Sequence, residues 1–179
     1  HAGTFRGNQM AMAAGSAVMR YLIEHKICDH AAAMGERLSE HLRILQRDFP
    51  QLGDIRGRGL MLGVELVDPN GAADALGHPP VFARLAPLVQ RECLKRGLIL
   101  ELGGRHGGVV RFLPPLVITA GEIDRVAEIF RRAMAAALGA CQNEQEVADQ
   151  VTESALSLLE AQDAVLRLRD EPSGRFRIA

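Results

Sequence analysis

The chain has 179 residues, 47% of them hydrophobic, with 21 basic against 22 acidic side chains and a formal net charge of −1. That length buries the core of one domain, with or without an appendage, and a charge balance so near neutrality offers no electrostatic footprint for nucleic acid. No apolar run approaches the roughly 18 residues of a membrane helix, and the start, His1 to Asn8, has neither an apolar secretory core nor an initiator methionine. The chain is therefore expected to begin inside a longer, cytoplasmic protein that binds no membrane.

Met10, Ala13, Ala14, Ala17, Val18, Tyr21 and Leu22 recur at helical spacing and predict a helix over 8–28, with small residues that would let another backbone approach. Asp29 is a candidate N-cap for a second helix over 31–49, which Pro50 stops. The period then changes: Gly57 and Gly59 precede the mostly apolar Leu60 to Leu66, which reads as a buried strand closed by the turn residues Asp68 to Gly71. A third helix is expected over 82–96 with Gly97 as its stop, then short strands over 98–102 and 109–113 joined by the glycine-rich Gly103 to Gly108. Thr119 and Glu122 have capping-box spacing and open a helix expected to end at Gly139. One more amphipathic helix is expected over 143–168, and a loose tail over 172–179. The order amounts to an α+β layer, a small antiparallel or mixed sheet with helices on one face.

Chemistry is sparse. Cys28, Cys93 and Cys141 are odd in number and far apart, so they read as reduced thiols, Cys28 and Cys93 as small core residues in helices. His25, His30 and His41 lack partners at ligand spacing, and no metal site is expected. The loop Gly103 to Gly108 does not open a helix and so lacks the geometry of a phosphate loop. Two places stand out. Thr4, in a polar loop entering the first helix, is either an anion-binding residue or an ordinary cap. Arg111, on an otherwise apolar strand, needs a partner, which is either a ligand carboxylate or a structural Asp or Glu.

Three ordered motifs then resemble those of the class III aminotransferases: His1-Ala2-Gly3-Thr4-Phe5-Arg6-Gly7-Asn8-Gln9, Arg56-Gly57-Arg58-Gly59-Leu60-Met61, and Val110-Arg111-Phe112-Leu113-Pro114-Pro115-Leu116. The variant Arg6-Gly7-Asn8-Gln9, together with Gly103 to Gly107, is most similar to the diaminobutyrate–2-oxoglutarate aminotransferases of that family. The resemblance covers Ala2 to about Leu138.

It implies the C-terminal small domain of a fold-type I enzyme with pyridoxal 5'-phosphate as cofactor. Residues 1–30 would be a threonine loop and long linking helix, 31–140 the small domain, and 141–179 a helical extension with a loose tail. It implies that Thr4 holds the cofactor phosphate of a neighbouring subunit, hence a homodimer or larger assembly. Arg111 would bind the carboxylate of an amino acid or 2-oxo acid. Gly3, where many relatives carry serine, leaves only a backbone contact to substrate. The only lysines, Lys26 and Lys95, match no cofactor-lysine motif, so no catalytic residue is expected here. That lysine would lie upstream, and the chain alone would be inactive. The competing readings are a non-catalytic amino-acid-binding module, a structural interaction domain, or a class III enzyme for ornithine, acetylornithine or 4-aminobutyrate.

Overall fold

A computed structural model describes residues 6–159, 167–170 and 175–178, with side chains described as far as 152 apart from 105 and 144–146. The chain divides into two compact units, His1–Ala133 and Met134–Ala179.

The first unit is an α+β layer. Helices α1 (Gln9–Glu24) and α2 (Ile27–Asp48) lead into strands β1 (Leu52–Arg58) and β2 (Met61–Leu66). Helix α3 (Leu85–Lys95), strand β3 (Glu101–Gly103), a 3₁₀ turn at Arg105–Gly107 and strand β4 (Val109–Phe112) follow, before α4 (Ala120–Leu159) begins. The four strands pair antiparallel in the order β1-β2-β4-β3.

Alternation decides which face of this sheet is covered. Leu62, Val64 and Leu66 of β2 and Val110 and Phe112 of β4 are buried. They meet the apolar stripe of α2, formed by Ile27, Ala31, Leu38, Leu42 and Leu45, the buried side of α3 with Val89 and Cys93, and the first turns of α4. Phe130 of α4 meets Phe112 edge-on, ring centres 5.2 Å apart, and burying each such ring stabilises the fold by about 1.5–3 kcal/mol. Helix α1, by contrast, buries none of its residues.

Several local expectations are met and several corrected. Thr119 and Glu122 form the capping box: the Glu122 carboxylate accepts from Thr119 N (2.8 Å), and Glu122 N donates to the Thr119 hydroxyl (3.3 Å). Gly97 takes the left-handed conformation (φ 83°) just past α3. Helix α2, however, starts at Ile27, because the preceding residue Lys26 turns the chain at φ 50°. Asp29 therefore lies within the first turn, where its charge suits the helix dipole, and is not the cap. Strand β1 was not expected. It is polar, and its hairpin to β2 turns in two residues, Gly59-Leu60, with Gly59 at φ 55°. Helix α3 begins at Leu85, since Val81 bridges to Val67 and Phe82 N donates to Leu66 O (2.8 Å) beside the sheet. Cys28 is exposed while Cys93 is buried, and burial pushes the Cys93 thiol up to about 12.

Helices α2 and α4 are tied by a charged clamp. Arg37 donates from Nε (2.8 Å) and Nη2 (2.7 Å) to Asp124, and His41 Nε2 meets the same carboxylate at 2.8 Å. His30 Nε2 donates to the Ile118 carbonyl at 2.8 Å, just ahead of α4. The hydrogen bond from Arg37, and then that from His41, hold the Asp124 carboxyl down at about 2.

In the second unit α4 continues without a break through Gly139, contrary to the expected stop. A lone glycine inside a helix costs only about 1 kcal/mol, and the alanines and polar helix formers around it continue the turn. Met134, Ala137, Cys141 and Ala148 are buried. The helix is described as far as Leu159, and Arg167–Asp170 pairs antiparallel with Arg175–Ile178 where the expected helix end and loose tail would lie. Among the described residues no helix is long and apolar enough to cross a membrane.

Two stability predictions follow from this packing. A Cβ on Gly35 would fall on the backbone carbonyl of Gly59, whereas one on Gly139 meets open space. Gly35→Ala should destabilise the protein by about 2–3 kcal/mol, and Gly139→Ala should stabilise it by about 0.5–1 kcal/mol; urea-unfolding midpoints give both values. The clamp gives a pH dependence. Its carboxyl titrates at about 2 when folded against an ordinary 3.8, so the stability it contributes is complete above the ordinary value and is lost as pH falls through the folded one. The melting temperature of the wild type should exceed that of Asp124→Asn at about pH 5, and the gap should close near about pH 2. A gap independent of pH would show that the clamp carries no ionic contribution.

Candidate carboxylate-binding site

Strand β4 aims Arg111. Its neighbours Val110 and Phe112 are buried, so alternation turns the guanidinium to the opposite, open face. Register then draws one row across that face. Arg56 on β1 lies opposite Gly63 on β2, Gly63 opposite Arg111 on β4, and Arg111 opposite Glu101 on β3.

The two arginines of the row are held differently. Arg56 Nη1 donates to Asp54 (2.8 Å) and Glu65 (3.2 Å), and these bonds raise its pKa above its ordinary value. Its charge is balanced within the sheet. Among the described residues Arg111 meets only Glu101, Nη1 to Oε2 at 3.4 Å, longer than an ordinary hydrogen bond, with side-chain exposures of 45% and 63%. The Nε and Nη2 edge of its fork has no partner among the described residues. The supposition that Arg111 is a buried charge in need of a partner is thus corrected: it is half exposed, and the apolar character of its strand belongs to the other face.

Glycines make the space around it. A Cβ on Gly103 would stand 2.9 Å from Arg111 Cδ and 3.6 Å from Nη1, so the arginine stem lies over Gly103 towards the sheet edge. Gly63 on the other side offers no side chain. A cleft of about 680 Å³, which Arg111 does not line, opens between the start of α2 and the β1–β2 turn, with Ala32, Met61, Leu113 and Leu116 among its walls and Asp29 and Arg58 as its charged members.

Sequence reasoning missed Glu101 and Gly103 as neighbours of Arg111. The signal was present in the two-residue period of β3, but it has no meaning until the pairing of β3 with β4 is known. Thr4 and Gly3 lie outside the described residues. Of the helix start beside them, Asn8 Oδ1 accepts from Ala11 N at 3.2 Å, so one of the free backbone donors is already capped. Lys95 is held by Glu92 at 2.7 Å on the surface of α3, and Lys26 sits at the α1–α2 turn. Among the described residues no three His, Cys, Asp or Glu side chains gather to hold a metal ion. The described residues therefore offer a fork for a carboxylate, with a floor cleared by glycine.

Comparison with known proteins places this arrangement. The family model for aminotransferase class III matches residues 1–134. A diaminobutyrate–2-oxoglutarate aminotransferase of Rhizobium meliloti is 52% identical over 127 residues, 71% of this chain and 27% of that protein. A second protein of that name, from Haemophilus influenzae, is 41% identical over 138 residues, 77% of this chain and 30% of that protein. Among solved structures, a Bacillus anthracis aminotransferase superposes with a TM-score of 0.65 at 31% identity, covering 75% of this chain and 30% of that one. The N-acetylornithine aminotransferase of Stenotrophomonas maltophilia gives 0.58 at 26% identity, covering 70% of this chain and 30% of that one. The chain belongs to the class III aminotransferases, and its α+β layer is a part of their fold. It spans less than a third of the length of these relatives, 27–30%.

Proposed function

We propose that this chain is the small-domain part of a pyridoxal-phosphate aminotransferase that moves an amino group between L-2,4-diaminobutyrate and 2-oxoglutarate, giving aspartate 4-semialdehyde and glutamate. The 52% identity to the Rhizobium meliloti enzyme of that name carries the choice of substrate. The 5-aminovalerate aminotransferase of Pseudomonas putida, named for another donor, is 35% identical over 133 residues.

In this reading Arg111 receives the carboxylate of 2-oxoglutarate. A planar guanidinium matches a carboxylate through two parallel hydrogen bonds and so fixes the substrate's orientation as well as its position. The Nε–Nη2 edge of Arg111, without a partner among the described residues and on a face with glycine at Gly63 and Gly103, supports that role. Thr4 would hold the cofactor phosphate, from one subunit to the next in a homodimer or larger assembly, and the Gly3 backbone would face the substrate. When bound, the cofactor supplies the electrophilic carbon and electron sink that amino-group transfer requires. Neither Lys26 nor Lys95 occupies a place suited to carrying it, so that lysine belongs to a preceding part of the protein, and the chain by itself is inactive. A cytoplasmic setting fits this chemistry.

Arg111→Lys keeps the charge but removes the fork. In the complete enzyme it should lower kcat/KM for 2-oxoglutarate by about ten- to a hundredfold, equivalent to roughly 1.4–2.8 kcal/mol of transition-state binding, with cofactor content unchanged. Normal transamination with a lower melting temperature would make Arg111 a structural residue and end this reading.

A further inference from the structure

The cleft of about 680 Å³ beside the start of α2 has the size and lining of a small-molecule site. Its walls are mostly apolar and open to solvent: Met61, Leu113 and Leu116 stay 61%, 47% and 46% exposed. Two groups of opposite charge break that character, Asp29 in the first turn of α2 and Arg58 at the end of β1. Neither side chain has a hydrogen-bond or ion-pair partner among the described residues, and the two do not pair with each other. Arg56, two residues before Arg58, is by contrast taken up by Asp54 and Glu65. The walls are held from two sides. Gly35 of α2 passes so near the β1–β2 turn that a Cβ there would fall on the Gly59 carbonyl. His30 Nε2 donates to the Ile118 carbonyl at 2.8 Å, which ties α2 to the segment carrying Leu113 and Leu116. A cleft with fixed walls needs little ordering when a ligand enters.

We propose that this cleft binds a small aliphatic zwitterion: an amino acid whose carboxylate meets Arg58, whose ammonium meets Asp29 and whose carbon chain lies on Met61, Leu113 and Leu116. A purely apolar ligand would strip water from both charges without pairing either, which is unfavourable. A simple acid or amine would pair one charge and leave the other against apolar walls. A zwitterion satisfies both, and its chain covers apolar surface that is now exposed. The guanidinium of Arg58 suits a carboxylate through two parallel hydrogen bonds. The amino end of α2 carries only about half a positive charge, so the full charge of Asp29 outweighs it and a cation is accepted there. Both charged groups are partly solvated, so each contributes a factor of about five in affinity. Arg111 does not line the cleft, so the ligand binds without calling on it.

The test is calorimetric titration of the complete holoenzyme that carries this chain with two isomeric probes, norleucine and 6-aminohexanoate. Both are built on the same carbon chain, with the charges close together in one and far apart in the other. At least one should bind, and hexanoate and hexylamine, which each lack one charge, should bind about fivefold more weakly. Asp29→Asn and Arg58→Gln should each weaken the bound probe by about fivefold. Ala32→Phe, which fills the cleft without touching either charge, should abolish binding. Melting curves of the three variants should stay close to that of the wild type, since the altered side chains are exposed. Arg111→Gln should leave the affinity unchanged. No binding of either probe at about 20 mM overturns the proposal, and so does hexanoate binding as tightly as the zwitterions. An affinity that is lost in Arg111→Gln but kept in the cleft variants also overturns it, because it places the probe at the carboxylate fork.

Discussion

Burial of Val110 and Phe112 is what aims Arg111. Both side chains are locked on the helix-covered face of the sheet, Phe112 against Phe130 of α4, and the period of the strand leaves Arg111 no direction but the open face. A slip of one residue in the β2–β4 pairing would turn the arginine into the core and two apolar side chains into water. The same pairing brings Gly63 and Glu101 beside it. The hydrophobic core thus works as the alignment device for a charged surface row that makes no core contact of its own. The clamp between α2 and Asp124 and the close approach of Gly35 to Gly59 serve that alignment by fixing the layer that covers the sheet.

Much of this was legible in the sequence. The apolar run of β2, the capping box at Thr119 and Glu122, and the glycine stop at Gly97 each announce themselves through a short-range rule. Strand β1 did not, because Asp54, Arg56 and Arg58 give it a polar outer face and Gly57 removes one position from the pattern. The continuation of α4 through Gly139 was missed for the opposite reason: a helix-breaking residue was given too much weight in a segment whose flanks favour helix. Arg111 could be singled out as a charge on an apolar strand, but its exposure could not, since alternation alone does not say which face is covered. Its relation to Glu101 and Gly103 depends on tertiary pairing, which no local pattern carries.

Family membership and site geometry converge on one segment. The match to aminotransferase class III ends at residue 134, almost where the first compact unit ends at Ala133. What lies inside it includes a carboxylate-sized fork on a stable layer. The described residues beyond it form the remainder of α4 and a short strand pair, and no part of the functional reading draws on them. The proposed function divides the labour, with this layer presenting the substrate's carboxylate and cofactor chemistry supplied elsewhere in the protein. It places demands on rigidity rather than reactivity here, in keeping with a face whose charged groups are spaced by backbone pairing.

The most direct measurement is a crystal structure of the complete enzyme with 2-oxoglutarate or glutarate bound. The account predicts a ligand carboxylate with both oxygens at about 2.7–2.9 Å from the Arg111 guanidinium, in the bidentate arrangement. A ligand carboxylate bound elsewhere, with Arg111 still paired only to Glu101, would contradict it.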